Sequence, residues 1–262
     1  MKNSEKSGEN PLFDLQEKIY TSTNFTRRRL HQTRLKWVKA AIKKVYKKST
    51  PPLNNSLEFG PGSGIYLPTL ASNYKKVIAA DIERAYLNGL ELLSMKIDNL
   101  VLVVDDIQKS QFPDNFFDLI LCSEVLEHVP EPELALDTLY RILRPGGFAI
   151  VTTPQRYSLM ELACKIAFLP GFIQLTRLIY REPILETGHI SLRSHKRFNR
   201  SIDSCGFEIL VRTKFGLYIP ILAELGGGKT IQLIEKYLHN SIFDWMLWTQ
   251  AYILKKPATG KR

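Results

Sequence analysis

LEFGPGSG, residues 57–64, is the stretch on which the reading of this chain turns. Leu57–Phe59 reads as a short strand, and Gly60, Gly62 and Gly64 follow it at once. Closely spaced glycines let a backbone turn sharply and approach a ligand without Cβ clashes. Alone, G-x-G-x-G is a common turn pattern, so its surroundings decide its weight. Val77–Ala80 is a second apolar run, closed by Asp81, 21 residues beyond Gly60. Leu100–Val104 is a third, closed by Asp105 and Asp106; Phe117–Cys122 and Phe148–Thr153 are a fourth and fifth. Helical patterns lie between them: one from near Ile65, one over Arg84–Met95, and one over Glu133–Leu143 closed by Pro145-Gly146-Gly147. Strands without polar alternation, separated by helices, predict a parallel sheet covered on both faces. Ligands of such sheets bind at the C-terminal ends of the strands, where the glycines and the acids stand.

Beyond Pro154 the pattern changes. Residues 158–180 are rich in apolar side chains but hold Glu161, Lys165, Pro170, Gly171 and Arg177, too broken for a membrane span. They predict two short helices around Pro170-Gly171, forming a lid or insertion. Phe207–Thr213 and Leu247–Leu254 read as late strands flanking a helix at Ile231–His239. Two motif readings fail. A dinucleotide fold needs G-x-G-x-x-G, and the third glycine falls one residue early. Gly228-Lys229-Thr230 resembles the end of a phosphate loop, but Ala223 stands where its first glycine belongs.

The 262 residues suit one large domain or two small ones, and 44% hydrophobic with 24% charged residues excludes wholesale disorder. Three scattered cysteines make neither a disulfide framework nor a zinc site, and MKNSEKSGEN at the start is polar, so a cytoplasmic-type protein is expected. The net charge of +10 traces to residues 27–48, which hold ten Lys or Arg and no acid. Leu35, Val38, Ile42 and Val45, spaced 3, 4 and 3, predict an amphipathic helix there, widened by Trp37 and Ala41. Its basic face is expected in solvent, with attraction of an anionic substrate, headgroup or nucleic acid as the sharper alternative.

With LEFGPGSG (57–64), AADIE (79–83), VVDDI (103–107), FPDNFFDLILCSEVLEHV (112–129) and LRPGGFAIVTTP (143–154) in order, the chain resembles the class I S-adenosylmethionine-dependent methyltransferases, of the type-11 and ubiquinone-biosynthesis O-methyltransferase kind. A weaker echo runs through 188–210. The resemblance implies a Rossmann-like, seven-stranded mixed sheet with helices on both faces, its last strand antiparallel. An N-terminal basic cap and linker would occupy 1–55 and the methyltransferase domain 56–262, with the lid at about 155–188. It also implies that Glu58, Gly60, Pro61 and Gly62 take the methionine part of S-adenosylmethionine and that Asp81 binds the ribose. Ile82, Asp106 and Ile107 would meet the adenine, and Ser123 the methionine side; Asp105 would face away. The plainer alternative for each acid is a helix cap or a surface charge.

The LEH block places Glu127 and His128 on the acceptor side, where a histidine serves as base or as an orienting group. Glu124, Glu127 and His128 also make E-x-x-E-H, similar to a pattern that holds a divalent ion in some quinone and small-RNA methyltransferases, with a later histidine assisting. Here that histidine is His189, and Mg²⁺ or Mn²⁺ is the ion such a set would take. The plainer alternative, solvated charges on a short helix with a His–Glu hydrogen bond, is preferred. The expected reaction is O-methylation of a small, partly apolar or aromatic hydroxyl or carboxylate acceptor. Phe168, Phe172 and Tyr180 suit such an acceptor, with peripheral membrane contact by the same segment as a further expectation. An RNA 2′-O-methyltransferase and a non-catalytic S-adenosylmethionine-binding protein are the alternatives. With no RNA-binding module, nucleic acid is not the expected partner, and the sequence sets no oligomeric state.

Overall fold

Runs such as LVLVV and FDLILC carry apolar side chains on both strand faces and are expected to be covered on both. The computed structural model, which describes residues 20–22, 24–49, 52–167 and 188–258, buries FDLILC completely but leaves LVLVV at the sheet edge, with Val101 and Val104 exposed. The strands are β1 (Asn55–Phe59), β2 (Lys76–Asp81), β3 (Leu100–Val104), β4 (Phe117–Ser123), β5 (Leu143–Pro154), β6 (Glu208–Phe215) and β7 (Thr249–Lys255). They form one sheet in the order β3-β2-β1-β4-β5-β7-β6. β1 to β5 pair in parallel, while β7 runs antiparallel to both β5 and β6. This is the seven-stranded mixed sheet expected from the sequence.

Alternate residues of each strand feed two cores, one on each face. On one face α1 (Phe25–Lys48) and α2 (Leu67–Ala71) cover Leu119, Leu121 and Ile150 with Val38, Ile42, Val45, Leu67 and Leu70. On the other, α5 (Pro132–Ile142) and α7 (His195–Ser204) cover Leu57, Ile120 and Val151 with Leu136, Leu139, Phe198 and Ile202. Full burial of one such side chain contributes about 1.5–3 kcal/mol, so Val38, Ile42 and Val45 all favour docking of α1. A third cluster joins Leu30 of α1 to Tyr218, Ile231 and Trp248 near the C-terminal end of the chain.

Several boundaries differ from the sequence reading. Arg84–Met95 is two short helices, α3 (Arg84–Asn88) and α4 (Glu91–Ser94), because Gly89 weakens the helix and Leu90 turns fully inward. β5 begins at Leu143 rather than Phe148. Its Pro-Gly-Gly passes through a register irregularity opposite Phe117 and Leu119 instead of forming a loop. α6 (Leu159–Ala167) is the first of the two helices expected in the lid. The Pro170-Gly171 break and Phe168, Phe172 and Tyr180 lie outside the described residues. α8 (Pro220–Glu224) precedes the glycine run, which opens α9 (Gly228–Leu238). No helix among the described residues is long and apolar enough to cross a membrane.

The basic face of α1 divides in two. Lys36, Lys43, Lys44, Lys47 and Lys48 are exposed, as expected of a solvated face. The arginines instead tie the helix to the protein: Arg27 pairs with Glu224 at 2.9 Å, Arg29 with Glu235, and buried Arg34 with Glu124 at 2.7 Å. Arg34 lies on the helix stripe that carries Leu30, Val38 and Ile42, which turns it inward.

Candidate active site

The strand order reverses direction between β1 and β4, and the crevice above that point is where an open α/β sheet binds its ligand. The glycine loop leaves β1 into this crevice. Gly60 has φ +62°, and a Cβ there would stand 2.5 Å from Val125 Cγ2, so only glycine fits. Its N–H donates to Ala80 O at 2.9 Å, binding the loop to β2. At the end of β2, Asp81 is half-buried, and its Oδ1 accepts from Glu83 N at 2.9 Å. Burial raises its pKa. Asp106, just past β3, accepts from Gln108 N at 2.8 Å, while Asp105 turns to Gln111 N at 3.1 Å. Asp81 and Asp106 therefore each cap a local turn. Ile82 is 63% exposed beside Asp81, an apolar side chain left open to a ligand; Ile107 is buried in the core.

Two groups under the loop are conspicuous by their burial. Glu58 is 2% exposed, its Oε2 has no hydrogen-bond partner, and desolvation pushes its pKa well above the usual carboxylate range. The Arg34 guanidinium enters from α1. One amino group meets Glu124 and the other His31 Nδ1 at 3.3 Å, while Nε is buried without a partner. Unpaired buried polar atoms are costly, so both are open to the polar groups of a ligand. Glu124 holds a left-handed φ of +57° and accepts a second hydrogen bond from Thr152 Oγ1 at 2.9 Å. Such a backbone persists only where the surroundings fix it, and Arg34 and Thr152 do so. Ser123 Oγ shares the same Thr152 hydroxyl at 2.9 Å.

Beyond Glu124 the chain forms a turn, not a helix. Glu127 is fully enclosed: Oε2 accepts from Thr153 Oγ1 at 3.0 Å, and Oε1 is buried without a partner. Desolvation, and then the charge of Glu124, holds its pKa well above the usual range. His128 Nδ1 donates to Gly188 O at 3.2 Å, leaving Nε2 4.0 Å from Glu127 Oε1. Burial, and then neighbouring His189, lowers the His128 pKa. The His128 and His189 rings meet edge-on at 5.2 Å. Ile190 N and Ser191 N donate to Glu127 O at 2.9 and 3.0 Å, which pins residues 188–191 to this turn. Glu127, His128 and His189 each offer a ligand atom, and all three lie within 4.8 Å of one another. An open depression of about 690 Å³ lies elsewhere, between Arg29 of α1 and Lys229, Leu233 and Lys236 of α9, and includes none of these groups.

The family described as "Methyltransferase domain" matches residues 57–151, which span the glycine loop, both acids and the turn holding Glu127 and His128. Over these residues the chain is similar to a methyltransferase domain. Among curated proteins, the "Ubiquinone biosynthesis O-methyltransferase" of Xylella fastidiosa (strain M23) is 35% identical to this chain over 105 residues. That match covers 38% of this chain and 42% of the relative, so the likeness extends to less than half of either. Among solved structures, a putative methyltransferase complexed with the Haloferax volcanii Trm112 methyltransferase activator has a TM-score of 0.60. It is 15% identical, with 97% of this chain and 100% of that one covered. The [4+2]-cyclase SpnF has a TM-score of 0.56 at 16% identity, covering 84% and 82%. These two structures share the fold, and a cyclase on it shows that the fold alone fixes no reaction.

Gly60, Pro61 and Gly62 follow β1, Asp81 ends β2, Ile82 and Asp106 come just after β2 and β3, Ser123 ends β4, and Glu58 is buried within β1. Glu127, His128 and His189 come together. Glu124 does not join them: its carboxylate is held by Arg34 and Thr152, because the left-handed residue turns it from its neighbours. The plainer alternative fails as well, since Glu127 is buried and no helix forms there. Arg34, Glu161 and Trp248 escaped the reading. A cation on the apolar stripe of α1 was the available sign for Arg34, and a lone acid in apolar α6 for Glu161; Trp248 had none.

Proposed function

We propose that this chain binds S-adenosylmethionine in the β1–β4 crevice and transfers its methyl group to an oxygen of a small, partly apolar or aromatic acceptor. The observation that carries the reading is the Glu127, His128 and His189 cluster beside the glycine loop, with the lowered pKa of His128 keeping its ring neutral at pH 7. The residues fit the cofactor. Asp81 offers an acceptor for ribose hydroxyls, open Ile82 an apolar face for the adenine, and Asp106 an acceptor for its amino group. Glu58, with an orphaned oxygen, suits the methionine ammonium, and Arg34, with an orphaned Nε, the methionine carboxylate. The cofactor supplies a methyl group already activated on a sulfonium. What remains for the protein is to align the acceptor, exclude water and remove a proton. The neutral His128 Nε2 is suited to take the proton of an acceptor hydroxyl, since Nδ1 is turned to Gly188.

A metal-assisted variant is favoured by one observation, the buried and unpartnered Glu127 Oε1 within reach of two imidazoles. With Glu124 drawn off, the donor set is one carboxylate and two histidines. Mg²⁺ prefers oxygen ligands, so such a set suits Mn²⁺, Fe²⁺ or Zn²⁺ better. Binding of RNA is disfavoured because three arginines of α1 are engaged in internal ion pairs. Calorimetry with S-adenosylhomocysteine, followed by methyl transfer from labelled donor to a panel of phenols, catechols and hydroxy acids, tests the proposal. No binding overturns it. Binding without transfer, in chelator or with added Mn²⁺, supports the non-catalytic alternative.

A further inference from the structure

α6 is an apolar helix with one acid, and that acid is turned inward: the Glu161 side chain is 4% exposed. Removing a carboxylate from water is unfavourable unless donors surround it. Trp248 Nε1 donates to Glu161 Oε1 at 3.1 Å, and His189 Nδ1 stands 3.1 Å from the same oxygen, within ion-pairing distance though without an aligned hydrogen bond. The His189 side chain is itself only 8% exposed. An indole nitrogen only donates, so Trp248 fixes which atom of residue 161 faces this junction: it must be an acceptor. Trp248 is braced in turn by α1, with the His31 ring edge-on at 5.8 Å and the Arg34 guanidinium 5.9 Å from its centroid.

A neutral imidazole places its proton on the nitrogen that has an acceptor, and the other nitrogen then carries the lone pair. We propose that Glu161 is a positioning residue: held by Trp248, it keeps His189 as the Nδ1–H tautomer and leaves the Nε2 lone pair for an acceptor hydroxyl or a metal ion. A carboxylate behind a histidine serves the same end in metal sites and in acid–base catalysis. The tautomer stands independently of the proposed function; only its effect on rate rests on that reading.

Long-range proton–nitrogen correlation spectra of the full chain, labelled at histidine and recorded in EDTA near pH 8.5, report the tautomer directly. His189→Gln identifies the signals by their loss. The wild type is expected as Nδ1–H. Glu161→Leu removes the acceptor and is expected to give Nε2–H. Glu161→Gln keeps an oxygen on Trp248 and is expected to preserve Nδ1–H. In turnover, Glu161→Leu is expected to lower kcat by about 10- to 100-fold with the KM for the methyl donor unchanged, and Glu161→Gln to restore it. A wild-type Nε2–H ring, or an unchanged tautomer in Glu161→Leu that is folded by circular dichroism, overturns the proposal. If the leucine variant does not fold, the wild-type and glutamine spectra decide. An absence of any methyl transfer by the wild type counts against the proposed function and leaves the spectra as the test of this one.

Discussion

The two ends of the crevice are built on different plans. At the β1–β3 end each group sits at or just beyond a strand terminus: Gly60 after β1, Asp81 at the end of β2, Asp106 after β3. At the β4 end the groups come from across the chain: Arg34 from α1, Glu124 to His128 from one turn, Glu161 from α6, His189 from the pinned segment, and Trp248 from before β7. A site made of strand ends depends on the sheet and on local turns. A site collected from distant segments depends on ion pairs and packing that must all be present together. Chemistry is therefore expected to be the more fragile property, and binding of the cofactor's nucleoside part the more robust.

Removing the base tests the separation most severely. His128→Ala is expected to lower kcat by about 10²- to 10⁴-fold while S-adenosylhomocysteine affinity, measured by calorimetry, stays within twofold of the wild type. The wild-type rate should rise with pH through a value below the ordinary imidazole range and be flat from pH 7 to 8. The reason is that the lowered pKa of His128 leaves the ring unprotonated there. A profile still climbing at pH 8 would place the base elsewhere.

Next in size is the Arg34–Glu124 pair. Arg34→Met strands a carboxylate that is 17% exposed, and a loss of about 3 kcal/mol in denaturant unfolding is expected. Arg34→Met with Glu124→Gln should recover more than half of it, since the stranded charge is gone. Additive losses would mean that the pair does not couple the helix to the β4 turn. At the other end, Asp81→Ala removes an acceptor and is expected to weaken S-adenosylhomocysteine by about 1.5–3 kcal/mol, without altering kcat at saturating donor. A fall in kcat instead would blur the distinction between the two ends.

The smallest effect concerns Glu58 without cofactor. Burial raises its folded pKa above the ordinary value near 4.5. From about that pH upward the unfolded chain has released a proton that the folded chain keeps, so stability falls as pH rises towards the folded value. Glu58→Gln should flatten this slope in thermal unfolding between pH 5 and 7. Equal slopes would mean that the carboxyl is solvated.

The same division governs what the sequence reveals. Strand, glycine turn and terminal acid are neighbours along the chain, so LEFGPGSG and AADIE expose both the fold and the cofactor end. E-x-x-E-H is also local, but its meaning depends on backbone conformation. The left-handed φ of Glu124 sends one carboxylate to Arg34 and leaves the other with the histidines, which no spacing encodes. The Glu161–Trp248 contact joins residues 87 apart and has no local pattern at all.

The ion pairs of α1 bear on how the chain is made. Arg27 and Arg29 are joined to Glu224 and Glu235, about 200 residues later. At roughly 5–20 residues per second, the ribosome delivers those partners about 10–40 s after the helix itself has emerged. During that interval Leu30, Val38, Ile42 and Val45 face water beside ten uncompensated positive charges, next to the polyanionic surface of the ribosome that made them. The segment that is bound to the sheet and to the C-terminal third of the finished protein therefore waits, while the nascent chain is growing, for partners at the far end of the sequence.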